Sequence, residues 1–204
     1  MKKSIVLSIL GFFPLIMFLS GFNIAQEIKC NLYPNISSSD KIDTLKDEEF
    51  GIGDDDINNI TEPNVVIKAD NGSSDKNEGK RLKDYNLRTS WIGRVNVKYQ
   101  IDYTFDLSDL KDSKMDFNKI IIFNGNRYNI KKWKSYSRVK KLLMYVNGKP
   151  KCFLNLADTY KMQTFNINKV SVQGGNKVIF TFKILENYGK GGTGNIALSE
   201  LKFE

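Results

Sequence analysis

Four carboxylates, a glycine-rich stretch and a run of amides, guanidiniums and aromatic rings are the groups in this sequence that could do chemistry. There is no histidine, which excludes Ser-His and Cys-His nucleophile pairs and histidine-ligated zinc, and the two cysteines cannot close a structural zinc site alone. Hydrolysis would have to run on two carboxylates about 5 to 9 Å apart across a cleft. The candidates Asp84, Asp102, Asp158 and Glu200 sit in short polar segments within strand-rich stretches, where turn or backbone hydrogen bonding is the commoner role. No enzyme is expected. The stretch NYGKGGTGN, residues 187–195, has the vocabulary of a phosphate cradle. Gly189 and Gly194 have the separation of a P-loop, but Asn195 and Ile196 stand where Lys and Ser/Thr are required, and IALSELKF is too short for the helix such a loop opens. A mobile loop before a last strand is the expectation. Asp54, Asp56 and Asn58 copy the first ligands of a calcium loop, yet Asn59 replaces its turn glycine and Val65 its bidentate glutamate. No cofactor is expected, with a structural calcium ion left open.

The elements that must position any site begin after residue 60. Lys2 and Lys3 followed by the apolar run Ile5 to Leu19 read as a signal peptide ending near Ala25, which implies export to a secreted, periplasmic or cell-surface location. Lipidation of Cys30 is not favoured, because Glu27, Ile28 and Lys29 precede it. In an oxidising compartment Cys30 and Cys152 could pair; equally, Cys152 could be a buried strand thiol and Cys30 part of a tail. Residues 26–60 carry nine acidic and three basic side chains, and residues 61–204 fourteen and twenty-six. An acidic, Ser/Asp/Asn/Gly-rich flexible linker is thus tethered to a basic domain.

Within residues 61–204 the pattern is that of strands. VKYQIDYTFDL alternates strictly, with Val97, Tyr99, Ile101, Tyr103, Phe105 and Leu107 on one face. KIIIF is uniformly apolar, as a strand covered on both sides would be, and VKKLLMYV, CFLNL, MQTFNI and KVIFTFKIL follow. Asn147-Gly148 between two of them is a two-residue hairpin signal, since both positions tolerate positive φ. Closely spaced strands with no long amphipathic helix predict an all-β sandwich. Trp91, which begins a strand, is read as core.

The order of motifs DYNLRTSW (84–91), IIIFNG (120–125), SRVKKLLMYVNG (137–148), LADTYKMQTF (156–165) and ALSELKF (197–203) resembles the NAD glycohydrolase translocation domain, an NADase-type glycan-binding domain. That family is a discoidin-like, galactose-binding-domain-like jelly roll related to the C-type domains of coagulation factors V and VIII. The resemblance covers roughly residues 62–204. It implies a non-catalytic bacterial carbohydrate-binding module whose NAD-cleaving partner activity resides in a different domain. The glycine stretch occupies the slot of a family loop at one end of the sandwich.

Sugars are held by an aromatic face against the pyranose ring and by fixed groups that hydrogen-bond adjacent hydroxyls. NGNRYNIKKWKSYSR, residues 124–138, is the richest source of both. Asn124, Asn126 and Arg127 offer donors, Trp133 and Tyr136 offer faces, and Arg138 could span two vicinal hydroxyls. Tyr188 could close over a ligand from beside the glycine loop. Lys131, Lys132, Lys134, Arg138, Lys140, Lys141, Lys149 and Lys151 would favour an anionic partner, such as an acidic glycan or surface polymer, if they share a face. Export makes nucleic acid a poor natural partner. The alternative is an envelope-associated interaction protein that keeps the jelly roll without sugar binding.

Overall fold

The computed structural model describes residues 28, 30–37, 62–72, 74–110, 112–189 and 191–204. The expected signal peptide, the rest of the expected linker from residue 38 to 60 and the calcium-like Asp54, Asp56 and Asn58 lie outside them. Among the described residues the fold is all-β with two short helices, α1 (Lys76–Lys80) and α2 (Ile130–Ser135).

One layer orders as β4 (Ser74–Asp75), β3 (Asn64–Ala69), β6 (Tyr99–Asp106), β11 (Lys177–Asn187), β8 (Ser137–Val146), β9 (Lys149–Asn155) and β1 (Asn31–Leu32). The second orders as β2 (Asn35–Ile36), β10 (Gln163–Gln173), β7 (Lys114–Asn124), β12 (Asn195–Phe203) and β5 (Trp91–Arg94). Strand β8 joins the layers. Its start pairs parallel with β12, Ser137 opposite Ile196 and Arg138 opposite Ala197, before the strand continues antiparallel to β11.

Alternation decides what faces inward. Ile101, Tyr103 and Phe105 of β6 are buried, as the sequence pattern predicts. They meet side chains of the opposite layer. Phe105 and Phe117 have ring centroids 4.7 Å apart, and Phe117 and Phe180 5.1 Å. In β7, Ile120 to Phe123 are buried without alternation, because both faces of that strand are covered. Trp91 is core, 3% exposed, with Tyr99 edge-on at 4.8 Å. Asn147 and Gly148 take φ of 47° and 74°, the positive pair that a type I′ hairpin turn demands.

One part of the linker departs from its compositional reading. Cys30 is bonded to Cys152 on β9, β1 pairs parallel with Phe153 and Leu154, and β2 pairs antiparallel with Gln163 and Thr164. Cys30 and Leu32 also pack against the core. Residues 30–37 therefore form a strap that crosses from the β9 edge of one layer to the β10 edge of the other. A covalent bond and edge hydrogen bonds fix a segment whose own apolar content would not.

The disulfide closes a sequence separation of 122 residues, so cutting it releases much unfolded-state entropy. Replacing both Cys30 and Cys152 by Ser is expected to cost about 2 to 5 kcal/mol, read as a lower urea midpoint. An unchanged midpoint would show that the strap contributes nothing to folding.

Candidate functional site

The ends of β5, β7 and β11 and the starts of β8 and β12 converge at one pole of the sandwich, with Asn195 opposite Arg94 and Asn187 opposite Val139. Six of the seven residues singled out from the sequence lie in the segment that runs from β7 through α2 into β8, and Tyr188 follows β11 at the same pole. The geometry divides them.

Asn124, 1% exposed, donates Nδ2 to the Val139 carbonyl at 2.7 Å and accepts the Val139 N–H at Oδ1, 3.1 Å. Both ends of its amide thus tie β7 to β8. Gly125 then turns at φ 85°, where a Cβ would lie 2.7 Å from the Trp133 ring. The half-buried Trp133 donates its indole N–H to the Asn124 carbonyl at 2.9 Å. Arg138, 3% exposed, stacks 4.2 Å over that ring. Its guanidinium donates to both Asp158 carboxylate oxygens, at 2.5 and 3.3 Å, and to the carbonyls of Trp133 and Tyr136, at 3.1 and 2.6 Å. Four of the five N–H groups of that fork are thus engaged within the fold.

Asn126 caps the Tyr128 N–H at 3.2 Å and is itself buried. Arg127, 4% exposed, lies between the rings of Phe123 and Tyr160, 4.7 and 4.4 Å from their centroids, and its Nε and Nη1 are buried without a protein partner. That desolvation lowers its pKa. Asn124, Asn126, Arg127 and Arg138 therefore face into the fold. Tyr136 and Tyr188 keep partly exposed rings, and the Tyr188 hydroxyl donates to the Leu156 carbonyl at 2.5 Å. The glycine loop is laid against this assembly. Gly191, at φ 146°, would bring a Cβ within 2.6 Å of the Ser137 amide nitrogen, and Thr193 Oγ1 donates to the Ser135 carbonyl at 3.1 Å.

The lysines do not share one face. Lys131, Lys132 and Lys134 are exposed on α2, Lys140 pairs with Glu186 at 2.8 Å, Lys141 stacks 4.5 Å over Phe153, and Lys149 stands at the β8–β9 hairpin. Beside Tyr188 a groove of about 450 Å³ opens between β8, β11 and the strap. Its walls include Tyr33, Ile36, Asn155 and the Lys140–Glu186 pair; of the seven residues singled out as sugar contacts Tyr188 lines it, joined by Lys140 and Lys141 of the basic cluster. The signal that would have found it is Cys30, whose bond fixes Tyr33 beside the domain.

The carboxylates are accounted for by the fold. Asp102 accepts from Lys68, Gln100 and Thr181, at 2.7, 2.9 and 2.7 Å, and Asp158 holds Arg138. Asp84 and Glu200 meet. The Asn86 N–H reaches both, at 3.0 and 3.2 Å, and Thr89 donates to Asp84 at 2.6 Å. Glu200 is wholly buried, and burial first, then the hydrogen bond it shares with Asp84, push its pKa up to about 8. Glu200 thus lies inside the fold, while Asp84 stands at the surface on the Asn86 turn.

Residues 55–204 match the family model for the NAD glycohydrolase translocation F5/8 type C domain. No curated protein matches the chain. Among solved structures, the CBM32-1 and CBM32-2 domains of ZmpB from Clostridium perfringens, in complex with GalNAc, align with a TM-score of 0.50 at 12% identity, over 87% of this chain and 41% of theirs. The CBM32-1, CBM32-2 and M60 catalytic domains of the same protein align with a TM-score of 0.45 at 14% identity, over 69% of this chain and 14% of theirs. The chain spans less than half the length of these solved chains, and at such identities the likeness is one of fold.

Two predictions follow from the interior of this pole. Trp133→Ala removes the ring on which Arg138 stacks, and is expected to destabilise by about 2 to 4 kcal/mol, visible as a lower thermal midpoint. A midpoint within error of the parent would show that the indole does no packing. For Glu200, the folded pKa of about 8 lies above the ordinary value of 4.5, so its proton favours the folded state fully below about pH 4.5 and that stability is lost as pH rises through about 8. Denaturation measured with chelator present should show stability falling across that window, and Glu200→Gln should flatten the curve. A parent curve already flat there would contradict a Glu200 carboxyl held protonated by its burial.

Proposed function

The chain belongs to the NAD glycohydrolase translocation F5/8 type C domain family, and on that premise we propose that it is a non-catalytic glycan-binding module. The observation that carries this reading is the groove at the loop pole. It combines partly exposed aromatic rings with charged and amide groups on a frame rigid enough to hold them, which is what recognition of a hydroxyl-rich ring requires. The GalNAc complex of the CBM32 domains supports it by analogy of fold, since those domains bind a sugar on the same framework.

The exposed lysines of α2, at the same pole, favour acidic glycans over neutral ones. The chain acts outside the cytoplasm: the Lys2-Lys3 apolar leader and the Cys30–Cys152 bond both suit an exported protein. Its partner is then a saccharide of a cell surface or envelope.

The test is a printed glycan array probed with the full disulfide-bonded chain at physiological salt and again at low salt. A restricted set of glycans should bind, and acidic members should weaken as salt rises, because screening acts over about 8 Å at physiological ionic strength. Folded protein that binds no glycan would overturn the reading and favour an envelope-interaction protein. Binding to acidic glycans that ignores salt would remove the electrostatic part alone.

A further inference from the structure

We propose that the strap, residues 30–37, is part of the ligand site: Tyr33 is the stacking face for one pyranose ring, and the Lys140–Glu186 pair is its hydrogen-bonding partner. The proposal rests on the glycan-binding reading and names its site. The strap precedes residue 55, where the family match begins, so the matched domain does not include it.

The strap is pinned on both sides of Tyr33. On one side the Phe153 N–H donates to the Cys30 carbonyl at 2.9 Å and Asn155 Nδ2 to the Leu32 carbonyl at 3.2 Å. On the other, Asn35 and Ile36 pair with β10 and the Ser37 N–H donates to the Met162 carbonyl at 3.2 Å. Pro34 between them fixes its own φ. Held this way, Tyr33 is still 74% exposed. A large ring on an immobilised backbone, left facing water at the rim of a groove, loses little further backbone entropy when a ligand stacks on it. Tyr188 forms part of the other wall, and the bond from its hydroxyl to Leu156 fixes its orientation.

The groove's charged pair suits a diol. Lys140 Nζ and Glu186 Oε2 lie 2.8 Å apart, each side chain about half exposed, and so present a donor and an acceptor one hydrogen-bond length apart. Neighbouring hydroxyls of a pyranose, one donating to the carboxylate and one accepting from the ammonium, fit that pair. Their mutual contact raises the Lys140 pKa and lowers that of Glu186, so both stay charged. The volume of about 450 Å³ falls in the range of about 300 to 1,000 Å³ of small-ligand pockets.

The experiment compares the full disulfide-bonded chain with Tyr33→Ala and Tyr33→Trp, first on the glycan array and then by titration calorimetry with the oligosaccharide the parent binds best. Tyr33→Ala should weaken binding about tenfold or more with an unchanged thermal midpoint, and Tyr33→Trp should retain it. Parent and Tyr33→Ala binding alike would overturn the strap's role while leaving the glycan reading intact. A parent that binds no glycan overturns both.

Discussion

Phe203, the penultimate residue, touches the rings of Tyr103, Phe105, Phe117, Phe180 and Phe182, at centroid distances of 5.5, 5.3, 5.7, 4.5 and 6.0 Å. Four of these belong to one layer and Phe117 to the other, so a single ring at the end of β12 knits the sandwich together. Sheets packed this way tolerate no one-residue slip, because a slip would turn every core ring to the outside. The register of β12 against β7 and β5 is thereby set, and with it the position of the glycine loop that feeds the strand. What the loop pole can do follows from that constraint.

At the pole, rigidity is built from polar groups turned inward. Asn124 bridges β7 to β8, Arg138 is held by Asp158 and two carbonyls, and Trp133 lies beneath its guanidinium. These groups are what make a loop cluster hold one shape, and most of their hydrogen-bonding capacity is spent inside the fold. In the proposed reading, recognition falls to the next ring of side chains outward, where Tyr188, the Lys140–Glu186 pair and the strap's Tyr33 stand at the groove. A buried frame and an exposed contact surface are separate sets of residues here, although both sit at the same end of the molecule.

Much of the frame was legible in the sequence. The alternation from Tyr99 to Leu107, the unbroken apolar run in β7 and the Asn147-Gly148 turn each report a local rule that tertiary structure does not override. The site was less legible, for a physical reason. Residue type shows that Asn124 or Arg138 can form several hydrogen bonds, but not whether the partners will be a ligand or, as here, Val139 and Asp158. Composition likewise marks residues 31–37 as linker, since nothing local reveals that Cys30 will find Cys152 across 122 residues. The meeting of exposed Asp84 with buried Glu200 is equally non-local, and it helps raise the pKa of Glu200.

The most direct test of sugar binding at this pole is an amide NMR titration of the isotope-labelled, disulfide-bonded chain with the oligosaccharide it binds best. Saturable shifts clustered at Tyr33, Asn155, Glu186 and Tyr188, with the core strands unmoved, are the expected result. Saturable shifts confined to other faces, with those four residues silent, would contradict the account.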